Sequence, residues 1–203
     1  RHRQGFFVVE SVKGINLALQ TPGWEARGVV YARERRLSPW AQEILRRPRL
    51  AHYVLPEALL SELSDREETS EILLLCSIRN FALSDIALRS GLLLLTDRTQ
   101  NPGNLGSIIR SADALGADGL ILTGHGVDLY QPEVITASMG SFFNLPAIRM
   151  ADNDTVFDWI ARQRDLHPGF QGVPKLELFT AGLGNYLADR GEKRLRMTEF
   201  SGL

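Results

Sequence analysis

The chain has 203 residues, 44% of them hydrophobic and 23% charged, with a formal net charge of −1. This is the make-up of a soluble globular chain with room for one large domain or two small ones, and it excludes a polycation that grips nucleic acid without discrimination. A single cysteine, Cys76, rules out an intrachain disulfide framework and leaves a cysteine zinc site short of ligands.

No apolar run reaches the roughly 18–20 residues of a membrane helix. No signal-peptide core follows Arg1-His2-Arg3-Gln4-Gly5, so a cytoplasmic, reducing compartment is expected. Residues 6–9 read as a strand, and 11–20 as a helix with Val12, Ile15 and Leu19 on its apolar face. Residues 28–32 form a second strand. Ser38-Pro39 then opens a helix, with serine as cap and proline in the first turn. Arg33, Arg35, Arg36, Arg46, Arg47 and Arg49 come close together here and predict a local basic surface.

Residues 50–55 are a third strand, Pro56 starts a helix to about residue 63, and 72–78 form a fourth strand enclosing Cys76 as a buried thiol. Such alternation predicts a small sheet covered by helices. Residues 79–89 read as a connector with some helical character, and composition breaks at Ser90-Gly91. A boundary near residue 90 therefore divides the chain into α/β units at 1–89 and 90–203. In the second unit, 92–95 read as a parallel strand buried on both faces. A helix at 104–115, a strand at 119–123, a short helix at 132–137 and a strand region at 143–150 follow. A helix at 155–163 and a strand at 176–180 complete the series, and the charged segment 190–196 precedes an ending that closes no recognisable element.

The chemistry concentrates where the strand at 92–95 feeds a polar loop and then a helix, because functional residues of open α/β sheets gather at the carboxyl ends of strands. Asn104 suits the N-cap. Leu105, Ile108, Ile109, Ala112 and Leu115 share one face by their spacing, and Arg110 falls off it. From the residues alone, Asn104 caps a helix and Arg110 is a solvated side chain. The loop lacks both G-x-G-x-x-G and the phosphate-cradling G-x-x-x-x-G-K, and Gly124-His125-Gly126 has no third glycine opening a helix, which disfavours a nucleotide-binding oxidoreductase. His2, His52, His125 and His167 show no metal-ligand spacing, so no metal is expected; Trp24, Trp40 and Trp159 read as single anchors.

The run Asn101-Pro102-Gly103-Asn104-Leu105-Gly106-Ser107-Ile108-Ile109-Arg110-Ser111-Ala112 resembles the first motif of the SpoU/TrmH-type RNA ribose 2′-O-methyltransferases of the SPOUT superfamily. The block from Leu129-Tyr130-Gln131-Pro132 through Phe143-Asn144-Leu145-Pro146 resembles the stretch that follows in that family. Gly5-Phe6-Phe7-Val8-Val9-Glu10 resembles the start of the ribosomal-protein-like domain often fused ahead of it, although Ser11 stands where that signature commonly has glycine. The resemblance implies a small α/β RNA-binding domain followed by an α/β-knot methyltransferase domain. It also implies S-adenosyl-L-methionine as cofactor, ribosomal or transfer RNA as substrate, and a homodimer whose sites are completed across the interface.

Carried over by position, the resemblance implies two catalytic residues: Arg110, beside the target ribose and helping to deprotonate its 2′-hydroxyl, and Asn104, helping to position that arginine and the RNA. As arginine is a poor base, electrostatic stabilisation is the expected role of Arg110. Phe6 and Phe7 could face RNA if the first sheet is open. Residues for the cofactor stay unassigned, because the family's glycine- and glutamate-containing block and its closing Ser-Leu-Asn block find no good match. Gly182-Leu183-Gly184-Asn185-Tyr186 matches the first of these poorly and reads as a loop, so the methyltransferase domain is expected to be C-terminally incomplete. A noncatalytic RNA-binding protein, or an inactive fragment of such an enzyme, is the alternative that follows.

Overall fold

A computed structural model describes residues 5–64 and 68–166, together with the backbone at Leu178–Phe179 and Met197–Thr198. Strand β1 (Phe6–Val9) runs into α1 (Val12–Gln20), whose first turn is held by Ser11: its Oγ accepts from the Gly14 amide at 3.0 Å. Capping thus accounts for serine at this position. The buried face of α1 is Gly14, Ile15 and Ala18, whereas Val12 is 56% exposed, which corrects the expected face. The helix lies close over β1, and small residues permit that approach: a Cβ on Gly14 would meet Val9 Cγ1 at 3.0 Å.

Strand β2 (Ala26–Ala32) leads to α2 (Pro39–Leu45), where Ser38 caps and Pro39 occupies the first turn as expected. Strand β3 (Ala51–Leu55), α3 (Glu57–Leu63) and β4 (Ile72–Ser77) follow. The sheet order is β1-β4-β2-β3, with only the β2–β3 pair parallel. At the centre, β4 buries Ile72, Leu73, Leu74 and Cys76, and burial pushes the Cys76 thiol up to about 12. At one edge, β3 exposes Ala51, His52, Tyr53 and Val54.

Residues 79–92 carry the chain past one 3₁₀ turn, Leu83–Asp85, to a second sheet. Here β5 (Leu93–Asp97), β6 (Gly119–Thr123) and β7 (Ala147–Arg149) are parallel in the order β5-β6-β7. Alternate residues serve opposite faces. Leu94, Leu120, Leu122 and Ala147 pack with Leu105 and Ile109 of α4 (Pro102–Ala114) and Val134 and Ile135 of α5 (Pro132–Ala137). Leu93, Leu95, Ile121 and Ile148 pack with Val156, Phe157, Trp159 and Ile160 of α6 (Asn153–Leu166).

Both faces are therefore covered, as the unbroken apolar runs require. The expected strand region at 143–150 shortens to β7. Gly140, at φ +96°, turns the chain into a 3₁₀ turn at Ser141–Phe143, and its two phenylalanines are drawn into the core instead. Leu178–Phe179 pairs in parallel with Met197–Thr198. The rest of the strand expected at 176–180, the loop at 182–186, the charged segment 190–196, His2 and His167 lie outside the described residues.

Two expectations about aromatic residues are corrected by the packing. Phe7 is 1% exposed within a cluster of rings and does not face solvent, while Phe6 is half-buried. Trp24 is no lone anchor; it meets Phe7, Phe81, Phe142 and Phe143. No helix among the described residues is long and apolar enough to cross a membrane, and no group of three His, Cys, Asp or Glu among them could hold a metal ion.

Candidate active site

Asn101 governs the start of α4. Its Oδ1 accepts from the Asn104 amide at 2.9 Å, and Pro102 fills the first helical position, where a missing N–H costs nothing. The cap therefore lies three residues before the expected one, and Asn104 donates its backbone N–H rather than capping. The Asn104 side chain is exposed on the first turns, and Arg110 is exposed farther along.

Six positions apart, the two side chains lie roughly 9 Å from each other along the axis and about 120° around it. No hydrogen bond joins them. No acid pairs with Arg110 among the described residues. The buried face of α4 is Leu105, Gly106, Ile109 and Ala112; Leu115, just past the helix, is 66% exposed and leaves the expected stripe.

Gly106 has a role the sequence reading missed. A Cβ there would stand 2.5 Å from the Ala137 Cβ, 2.7 Å from the Val134 carbonyl oxygen and 2.9 Å from the Ser138 nitrogen. Glycine lets α4 and α5 touch backbone to backbone, and so brings together the two blocks that carried the resemblance. The hydroxyl of Ser138, fully buried at this contact, donates to the Ile135 carbonyl at 2.7 Å. A glycine amid the apolar positions of an amphipathic helix was the available signal.

Two loops knit together beyond the carboxyl ends of the strands. The Thr123 hydroxyl donates to Asp97 at 2.9 Å, and Arg98, at φ +51°, donates to the same carboxylate at 2.8 Å. The Val127 amide donates to the Thr99 carbonyl at 2.9 Å, and Gln100 Nε2 to the His125 carbonyl at 2.8 Å. Arg149 reaches back from β7 to the carbonyls of Gly124 and Val127. Desolvation lowers its pKa from the ordinary arginine value, and Asp128 opposes that shift. The result is a rim of hydroxyls, carbonyls and paired charges beside the N-terminus of α4.

The six arginines separate in space. Arg46, Arg47 and Arg49 occupy the turn entering β3 and are exposed, beside exposed His52 and Tyr53. Arg33 and Arg36 follow β2, at the far end of the β2–β3 pair, about 13 Å away along the strands. Arg35 is spent on structure: it pairs with Glu57 and donates to the carbonyls of Thr69 and Ser70 at 2.8 and 3.1 Å.

The second unit is thus an open parallel α/β sheet with a polar rim at its carboxyl edge, a glycine-tight helix pair beside it and an exposed arginine on the first of those helices. The chain belongs to the SpoU methyltransferase family: residues 91–166 match the SpoU rRNA Methylase family and residues 1–75 match the SpoU L30e-like domain. Over 166 residues it is 42% identical to a 23S rRNA (uridine(2479)-2′-O)-methyltransferase of Streptomyces viridochromogenes, covering 81% of this chain and 58% of that relative. The chain thus spans less than two thirds of that protein's length.

The crystal structure of the SpoU methyltransferase AviRb from the same organism superposes with a TM-score of 0.83 at 34% identity, over 100% of this chain and 85% of the other. AviRb in complex with AdoMet superposes at 0.76 and 41% identity, over 82% and 63% of the two chains. The expected fold class is borne out: an L30e-like α/β unit stands ahead of a sheet of the SpoU type.

Proposed function

We propose that this protein transfers a methyl group from S-adenosyl-L-methionine to the 2′-hydroxyl of a ribose in ribosomal RNA, acting in the cytoplasm as a homodimer. In this reading residues 1–89 hold the RNA and residues 90–203 carry the chemistry. The observation that bears most weight is Arg110. It is an exposed arginine with no acidic partner among the described residues, on the helix that leaves the sheet's carboxyl edge, inside the stretch matched by the methylase family.

The residue types suit the reaction. A ribose hydroxyl is a weak nucleophile and needs its developing negative charge stabilised as its proton leaves. Arginine, with a pKa above about 12, is a poor proton acceptor, so Arg110 supplies positive field to the alkoxide rather than taking its proton. An RNA phosphate close by can take part in the proton's removal. Asn104, on the exposed side one to two turns earlier, binds RNA and fixes its approach. It does not hold the guanidinium directly, given their separation on α4.

The cofactor is a zwitterion bearing a sulfonium, and when bound it supplies the electrophilic methyl group. The rim at the carboxyl edge suits such a ligand in kind: it offers hydroxyls, backbone carbonyls and charges already paired. Thr123 to Asp128 would line one side of it. On the RNA side, Arg46, Arg47 and Arg49 beside Tyr53 and His52 combine phosphate-binding charge with rings on which bases can stack.

The test is methyl transfer from isotopically labelled S-adenosylmethionine to ribosomal RNA, with nuclease mapping of the product. Label on a ribose 2′-oxygen supports the reading. RNA binding without cofactor binding by calorimetry would replace it with a noncatalytic RNA-binding protein.

A further inference from the structure

The two sheets meet through a closed cluster of rings that the proposed chemistry does not use. Phe7 on β1 and Trp24, in the loop before β2, come from the first unit. Tyr130, before α5, and Phe142 and Phe143, after it, come from the second. Ring centroids stand 5.0 Å apart for Phe7–Tyr130, 5.7 Å for Phe7–Phe142, and 5.3 Å for Trp24 with each of Phe142 and Phe143. Exposure is 1% for Phe7, 2% for Phe142, 3% for Phe143 and 5% for Tyr130.

Two hydrogen bonds tie the cluster down. Trp24 Nε1 donates to the Phe143 carbonyl at 2.9 Å, and the Tyr130 hydroxyl donates to the Arg79 carbonyl in the connector. The Arg79 guanidinium lies 4.3 Å over the ring of Phe81, which itself meets Trp24. On the flank of the cluster, Gly140 lies against Leu17 of α1, whose side-chain tip would have to shift to admit a Cβ.

Interfaces between domains of one chain are ordinarily polar enough to permit relative motion. This one is continuous with the main core, since the same buried cluster contains Ile15, Val29 and Leu74 of the first unit and Leu105, Leu120 and Val134 of the second. The joint also leads toward the candidate catalytic helix. Asn144, the residue after Phe143, donates to Asp113 at 3.4 Å, and Asp113 lies one turn beyond Arg110 on α4.

We propose that the ring cluster locks the two units into one body, and that Trp24 is a positioning residue: by holding the first unit at a fixed angle, it presents bound RNA to Arg110 in register. The inference rests on the reading of residues 1–89 as the RNA-holding unit. The physical reason for such a device is that a target misplaced by about 1 Å can cost as much as 10²-fold in rate even when the chemical groups are intact.

The experiment measures the angle and the chemistry separately. Spin labels on Gln42→Cys and Asp158→Cys, both exposed and one in each unit, report the distance distribution between units. The native protein is expected to give one narrow distribution. Trp24→Ala should broaden it, and Trp24→Phe, which keeps a ring but loses the N–H, should broaden it less. In parallel, kcat/KM for RNA should fall about tenfold or more in Trp24→Ala, with S-adenosylmethionine affinity unchanged. A narrow, native-like distribution in Trp24→Ala would overturn the inference, as would broadening with undiminished RNA kinetics. If Trp24→Ala does not fold, Trp24→Phe decides by the same two readouts. Absence of methyl transfer in the native protein would instead sink the reading of function, and the distance measurement would still report on the lock.

Discussion

The two sheets both bury their central strands but differ at their edges. In the second, β6 is buried along its whole length because helices cover both faces of a parallel sheet. Between their ends its strands offer a ligand nothing, so chemistry is confined to the strand ends and to the outward side of α4. In the first sheet, β3 is an edge strand, and all but its last residue is exposed. There the strand itself, with His52, Tyr53 and the arginines at its entry, can form a surface for a partner. Burial decides where each unit can act: the second sheet acts from its rim and the first from its open edge strand.

The sharpest way to break that contrast is at Arg110. Arg110→Ala should lower kcat about 10²–10³-fold, as loss of one charge-stabilising donor does, with an unchanged melting temperature because the side chain is exposed. An equal loss of stability would make Arg110 structural. Gly106→Val tests the rule that the second unit depends on close helix packing. Overpacking against Ala137 and Ser138 should cost about 1–3 kcal/mol in chemical denaturation.

Replacing Arg46, Arg47 and Arg49 with serine should weaken RNA binding and flatten its log–log salt dependence by about 2 to 3 units. The same change at Arg33 and Arg36 should do less, and equal effects would remove the β3 edge from its proposed role. Asn101→Ala should lose about 1 kcal/mol of stability with the helix cap, while Asn104→Ala leaves stability near native and weakens RNA binding.

Near neutral pH the last effect is nil, and it emerges only in alkali. Burial raises the Cys76 thiol from 9.0 to about 12 and the Tyr130 hydroxyl from 10.0 to about 12. The folded state therefore holds protons that the unfolded chain releases. This stabilisation is complete below about pH 9 and declines as pH rises toward 12. Denaturation midpoints measured on both sides of that window should fall on the alkaline side. Cys76 should also resist thiol reagents until the chain unfolds.

The alternation of strands and helices, the Ser38 cap and the buried Cys76 were all legible in the sequence, and helical spacing placed Arg110 on the outside of a helix. These depend on neighbours within a turn or two, where spacing and hydrogen-bond geometry leave few alternatives. The start of α4 was misplaced, because two asparagines three residues apart can each cap: Asn101 does so, with Pro102 in the first helical position, and Asn104 lies inside the helix.

Other features depended on the tertiary structure. Val12 and Leu115 fit an apolar stripe but lie in water, because the partner surface ends short of them. Six neighbouring arginines separate to the two ends of a strand pair because a parallel crossover carries the chain back across the sheet. Trp24 and Phe143 are 119 residues apart in sequence, so no local pattern could announce their bond. Local chemistry determines which elements form, but which of their faces become buried depends on contacts that exist only after distant segments have met.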